Sequence, residues 1–77
     1  METKLNALIA DTLHIPVETI TDGLAMSDVE FWDSLQHMNL IASLEQTYGV
    51  DLSFEEIVLM QNVAEIKRVL YEKGVDI

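Results

Sequence analysis

Asp33, Ser34 and His37 fall within one short stretch at mid-chain and carry the groups best suited to act on another molecule. A serine hydroxyl with a histidine three residues on, the two on the same side of a helix, has the elements of a nucleophile and its base. A working pair of that kind also needs a third group to orient the base and donors preorganised for an oxyanion. No second region of the chain supplies either, which argues against a hydrolase. His37 is then expected to be a solvated helix residue near whatever Ser34 holds. The other chemistry open to Ser34 is to carry a group. If Asp33 caps a helix, Ser34 stands in its first turn, where unpaired backbone N–H groups and the positive end of the helix dipole favour an anion. A phosphodiester attached to Ser34 suits that position, and so does a serine that merely begins a helix.

The elements that must hold this stretch are legible from spacing. From Thr3 to His14, the residues Leu5, Leu8, Ile9, Thr12 and Leu13 recur at intervals of three and four, one face of a helix. His14 in its last turn would favour the negative helix end, and Pro16 forbids continuation. Residues 15–33 keep no period and include Gly23. A loop this long needs pinning, for which Val17, Ile20, Leu24, Met26, Phe31 and Trp32 are available. Asp33 and Gln36 form a capping-box pattern ahead of Leu35, Met38, Leu40, Ile41, Leu44 and Tyr48, and Gly49 offers a left-handed stop. Ser53 with Glu56 opens a short apolar turn, Ile57 to Met60. Asn62 with Glu65 opens a last helix through Val63, Ile66, Val69, Leu70 and Tyr71 to Gly74. The expectation is an all-α four-helix bundle of three longer helices and one short one, with a long loop between helices one and two, formed by residues 1–77 as a single domain. Met26, Met38, Met60, Phe31, Phe54, Trp32, Tyr48 and Tyr71 are expected as core filler.

Composition narrows the function. A chain of 77 residues buries only about 60% of its unfolded surface, and it has little room for the deep pocket that enzymes usually need. A hydrophobic fraction of 49% excludes a disordered acidic tail. No cysteine is present, so there is neither a disulfide framework nor a thiolate metal site, which fits a reducing compartment. No apolar run is long enough for a signal peptide or membrane span, and the expected setting is the cytoplasm, as a monomer. The formal net charge is −10, and the basic residues Lys4, Lys67, Arg68 and Lys73 all lie towards the chain ends. Everything from Leu5 to Ile66 is acidic or neutral. Such a field repels nucleic acid and anionic lipid and steers basic protein surfaces towards itself. Asp22, Asp28, Glu30 and Asp33 lie close in sequence, but without EF-hand spacing, so no metal site is expected.

The run Trp32-Asp33-Ser34-Leu35, followed by Met38, Leu40-Ile41, Leu44-Glu45 and Tyr48-Gly49-Val50, resembles the Asp-Ser-Leu signature of the acyl carrier proteins and the helix after it. The likeness extends over almost the whole chain: a helix ending before a proline, a long loop, the signature at mid-chain, a short third helix and a last helix led by Val63. The resemblance implies that a phosphopantetheinyl transferase joins Ser34 to the 4'-phosphopantetheine of coenzyme A, that Asp33 assists the attachment, and that Leu35, Met38 and Glu45 meet partner enzymes or the acyl group. It implies that Leu40, Leu44 and Tyr48 line the core. It further implies a non-catalytic carrier that acyl-loading and acyl-transferring enzymes approach with basic docking surfaces. Two other readings stay open: a peptidyl or aminoacyl carrier, and an acidic interaction module without a prosthetic group.

Three departures from the family pattern stand out. Between Ser34 and Gly49 the only acid is Glu45, where many fatty-acid carriers are strongly acidic; Asn62 replaces a common threonine; and Trp32 replaces a small residue. These favour a dedicated carrier in a specialised pathway.

Overall fold

The computed structural model describes residues 2–77, with side chains from residue 3 onward. Its helices are α1 (Glu2–Leu13), α2 (Ser34–Tyr48), α3 (Phe54–Leu59) and α4 (Val63–Glu72), and single 3-10 turns occupy Val17–Thr19 and Met26–Asp28 in the long loop. Among the described residues there is no strand, only one isolated bridge between Ala25 and Asn62. The all-α bundle with one short helix is as the spacing predicts.

The helix boundaries follow from local chemistry. α2 begins where the Asp33 side chain accepts a hydrogen bond from Gln36 N–H, and it ends at Gly49, whose φ of 67° lies in the left-handed region where glycine has no Cβ to clash. Ser53 and Glu56 complete a reciprocal capping box at α3. The other two boxes form only their forward half. Glu65 directs its carboxylate to Arg68 at 2.7 Å instead of back to Asn62. Asp33 N–H is already bonded to the Phe31 carbonyl, and the Gln36 side chain accepts from Asn39. Past α4, Gly74 N–H donates to Tyr71 O and Val75 N–H to Leu70 O, a Schellman pair. His14 plays the corresponding part after α1: it lies beyond the helix with φ 58°, and Ile15 N–H reaches back to Ala10 O. It is therefore a left-handed stop, not the last-turn residue expected.

The core is one cluster. Leu5, Ile9 and Leu13 from α1, Leu40, Ile41 and Leu44 from α2, and Val63, Ile66, Val69 and Leu70 from α4 meet Trp32, Leu52 and Met60. Each fully buried side chain of this kind contributes roughly 1.5–3 kcal/mol. Lys67 lies on the buried face of α4 and extends its ammonium to the exposed Asp22 carboxylate at 2.6 Å, so its apolar stem packs while its charge is balanced at the surface.

The long loop is pinned differently from the expectation. Ile20 and Trp32 are buried and Leu24 and Met26 partly so, but Val17 and Phe31 are exposed, Phe31 packing edge-on against His14 at 4.7 Å between ring centroids. Backbone groups do the rest. Ala64 N–H donates to Asp22 O, Val63 N–H to Leu24 O and Met26 N–H to Gln61 O, so the loop satisfies donors in the first turn of α4 that no helix can satisfy internally. Phe31, Met38, Phe54 and Tyr71, expected as core filler, are exposed instead, while Met60 and Trp32 are buried in the core as expected.

Tyr48 is half-buried, and its hydroxyl makes no hydrogen bond among the described residues, while Lys4 holds its ammonium 5.6 Å from the ring centre. Burial pushes the phenol pKa up. An unsatisfied buried hydroxyl costs about 1–3 kcal/mol. Tyr48→Phe, which keeps the ring and removes that group, is therefore expected to leave stability unchanged or raise it by about 1 kcal/mol, read as the urea midpoint; a loss of more than that would reveal a partner for the hydroxyl.

Candidate functional site

Ser34 is the first residue of α2 and is exposed, as are Asp33 before it and Leu35 after it. Asp33 holds an extended backbone, and its Oδ1 accepts from Gln36 N–H at 2.9 Å, which fixes the helix start. The N–H groups of the first turn cannot find carbonyl partners within the helix, and apart from that cap no acidic residue occupies the turn. The Ser34 hydroxyl therefore emerges at the positive end of a helix dipole, with Leu35, 67% exposed, and Met38 presenting apolar surface beside it. A phosphate ester at Ser34 fits these surroundings.

His37 is not the solvated residue expected. It is 7% exposed, and both ring nitrogens are engaged: Trp32 Nε1 donates to His37 Nδ1 at 3.0 Å, and His37 Nε2 stands 2.9 Å from the carbonyl oxygen of Ile57. An indole N–H is only a donor and a carbonyl only an acceptor, so the network assigns the proton to Nε2. With Nδ1 accepting from the indole and Nε2 donating to Ile57, neither nitrogen is available to take a proton from Ser34. The hydrolase reading fails on that geometry. The burial was foreshadowed by spacing, since His37, Leu40, Ile41, Leu44 and Tyr48 form one helical stripe.

Glu45, half-buried, accepts from Leu52 N–H at 2.9 Å through Oε2 and so ties the end of α2 to the segment entering α3. The bond gives it a structural part in the fold. Three of the four loop acids are similarly occupied: Asp22 by Lys67, Asp28 by Ala25 N–H at 3.0 Å, and Asp33 by the α2 cap. Among the described residues no three His, Cys, Asp or Glu side chains converge as metal ligands, and no helix is long and apolar enough to cross a membrane.

Lys67, Arg68 and Lys73 all form ion pairs with Asp22, Glu65 and Glu72, and Glu56. Most of the acidic excess is thus left without a counterion on the protein. Self-repulsion of that kind is screened by salt. The melting temperature is expected to rise with sodium chloride over the first few tenths molar, and a flat profile would show the charges too far apart to matter.

A helical bundle that displays an exposed serine at a capped helix start, and that commits its neighbouring histidine to structure, has the form of a carrier module. The chain belongs to the family described as "Phosphopantetheine attachment site", whose model matches residues 3–70. It takes a covalently attached 4'-phosphopantetheine, which when bound supplies a thiol at the end of a long arm. An acyl carrier protein from Thermosynechococcus vestitus is 29% identical over 63 residues, 82% of this chain and 78% of the relative. The solution NMR structure of holo acyl carrier protein from Geobacter metallireducens superposes with a TM-score of 0.83 at 29% identity, covering 96% of this chain and 87% of that one.

Proposed function

We propose that this protein is an acyl carrier whose 4'-phosphopantetheine is attached to Ser34, and that it holds acyl intermediates as thioesters for partner biosynthetic enzymes while catalysing nothing itself. The observation that carries the reading is the exposed Ser34 at the first position of α2, capped by Asp33 and flanked by the exposed apolar side chains of Leu35 and Met38. Asp33 sets the helix start that a phosphopantetheinyl transferase must recognise, and Leu35 and Met38 form the apolar rim that it and the acyl-handling enzymes meet. The acidic excess of the whole chain attracts basic docking surfaces. The protein works as a monomer in the cytoplasm, with residues 1–77 as one carrier domain. The polar side chains of α2 outside the core include half-buried Gln36 and exposed Asn39 and Gln46, which carry no charge, and this favours a dedicated partner set in a specialised pathway over general docking by charge.

The absence of cysteine supplies a clean test. Thiol titration should count none in the apo protein, one after modification by the transferase and coenzyme A, none again after acyl loading, and one after neutral hydroxylamine. A modified protein whose thiol no acyl donor can block would be a carrier in form only. Loading by an amino-acid-adenylating enzyme alone would support the peptidyl or aminoacyl reading instead.

A further inference from the structure

The helix that Ser34 opens turns its inner face into the apolar interior. Leu40, Ile41 and Leu44 of α2 and Met60 beyond α3 are almost completely buried, and an alkyl chain anchored at Ser34 would gain with every methylene it placed among them. The route from the start of α2 towards α3 meets His37, which is on Ser34's side of the helix one turn further on. Its ring spans the gap between the two helices and donates to the Ile57 carbonyl at 2.9 Å. That carbonyl lies in the last turn of α3, where Met60 N–H reaches it at 3.2 Å but Gln61 N–H turns away to Leu59 O, leaving room for a second donor. His37 thus caps α3 from a different helix. Trp32, 2% exposed, closes the other side of the ring. α3 itself has no fully buried side chain, so this bond, the Glu56–Lys73 ion pair at 2.9 Å and Met60 at its end hold it in place.

We infer that Trp32, His37 and the Ile57 carbonyl form a latch that keeps α3 closed on α2, so that cargo attached at Ser34 stays on the outside of the bundle and the carrier is suited to short or polar acyl groups. This rests on Ser34 as the attachment point. For an alkyl chain to enter, α3 must move off His37, which leaves the buried histidine N–H without its partner and the Ile57 carbonyl with Met60 N–H alone. A short or polar cargo gains too little from burial to drive that opening, and a longer alkyl chain must do so against the buried His37–Ile57 hydrogen bond. His37 is a positioning residue on this account: it touches neither cargo nor phosphate.

The test is the chain-length dependence of thioester protection. Acetyl, hexanoyl and decanoyl groups are installed directly from the corresponding acyl-coenzyme A by a phosphopantetheinyl transferase, and the rate of hydroxylamine cleavage is followed by intact mass. The native protein should release all three within about twofold of one another. His37→Ala, which opens a gap and removes both bonds, should slow decanoyl release at least fivefold with acetyl unchanged. Trp32→Phe, which keeps the packing and removes one bond, should fall between them. Decanoyl protected several-fold in the native protein would overturn the inference, and this outcome needs no variant to fold. An unprotected decanoyl chain in a folded His37→Ala protein would overturn it too. If no acyl-phosphopantetheine mass is added at Ser34, the carrier reading falls and the latch with it; if mass is added but protection follows either contrary pattern, only the latch falls.

Discussion

Replacing Ser34 with alanine is expected to abolish attachment of phosphopantetheine completely while leaving the fold almost untouched. The hydroxyl oxygen is the atom that forms the ester, and no second serine or threonine of the chain shares its place after the α2 cap. The helix start belongs to Asp33, whose bond to Gln36 N–H survives the change. Ser34 is exposed, and exposed substitutions away from caps and special backbone usually fall within about 0.5 kcal/mol. Asp33→Ala should show the opposite balance: loss of the cap costs about 0.5–2 kcal/mol, and attachment becomes slower without disappearing. Denaturant midpoints measured beside attachment rates separate the two roles. A Ser34→Ala protein destabilised as much as Asp33→Ala would mean that the serine is itself part of the cap.

Trp32→Ala should have the largest effect on stability of any single change near the site. Large-to-small replacement of a buried aromatic costs about 3–5 kcal/mol, and here it also removes the donor to His37 Nδ1, at a further cost of about 1–3 kcal/mol if that nitrogen stays buried. Against the 5–15 kcal/mol typical of small domains, such a loss brings the protein close to unfolding at room temperature. Trp32→Phe isolates the hydrogen bond, with an expected loss of about 1–3 kcal/mol. Equilibrium urea unfolding of the two variants gives both numbers. A Trp32→Phe protein as stable as the native one would mean that the indole acts through packing alone and that the contact with His37 contributes nothing measurable.

The helices were legible because their signals are local. Asp33, Gly49, Ser53, Asn62 and Gly74 each act on backbone within a few residues, and each stands at the boundary it marks. Ser34 was legible for the same reason. What spacing did not reveal depends on partners distant in sequence. The acceptor for His37 is a carbonyl twenty residues away, at Ile57, and no side-chain pattern announces a helix-end carbonyl with room for a second donor. Beside the Asp22–Lys67 ion pair, the loop's attachment at the start of α4 through Asp22, Leu24 and Met26 is made by backbone atoms, which any residue type supplies. Phe54, 78% exposed, and Met38 show the remaining difficulty. Large apolar residues are common on surfaces, so hydrophobicity alone cannot separate core from docking rim.

The most direct test is the intact mass of the native protein after incubation with coenzyme A and a broad-specificity phosphopantetheinyl transferase, followed by peptide mapping of the product. Attachment at Ser34 predicts one phosphopantetheine per chain, carried on the peptide that contains Trp32-Asp33-Ser34-Leu35. An unmodified chain, or an adduct on any other residue, would contradict it.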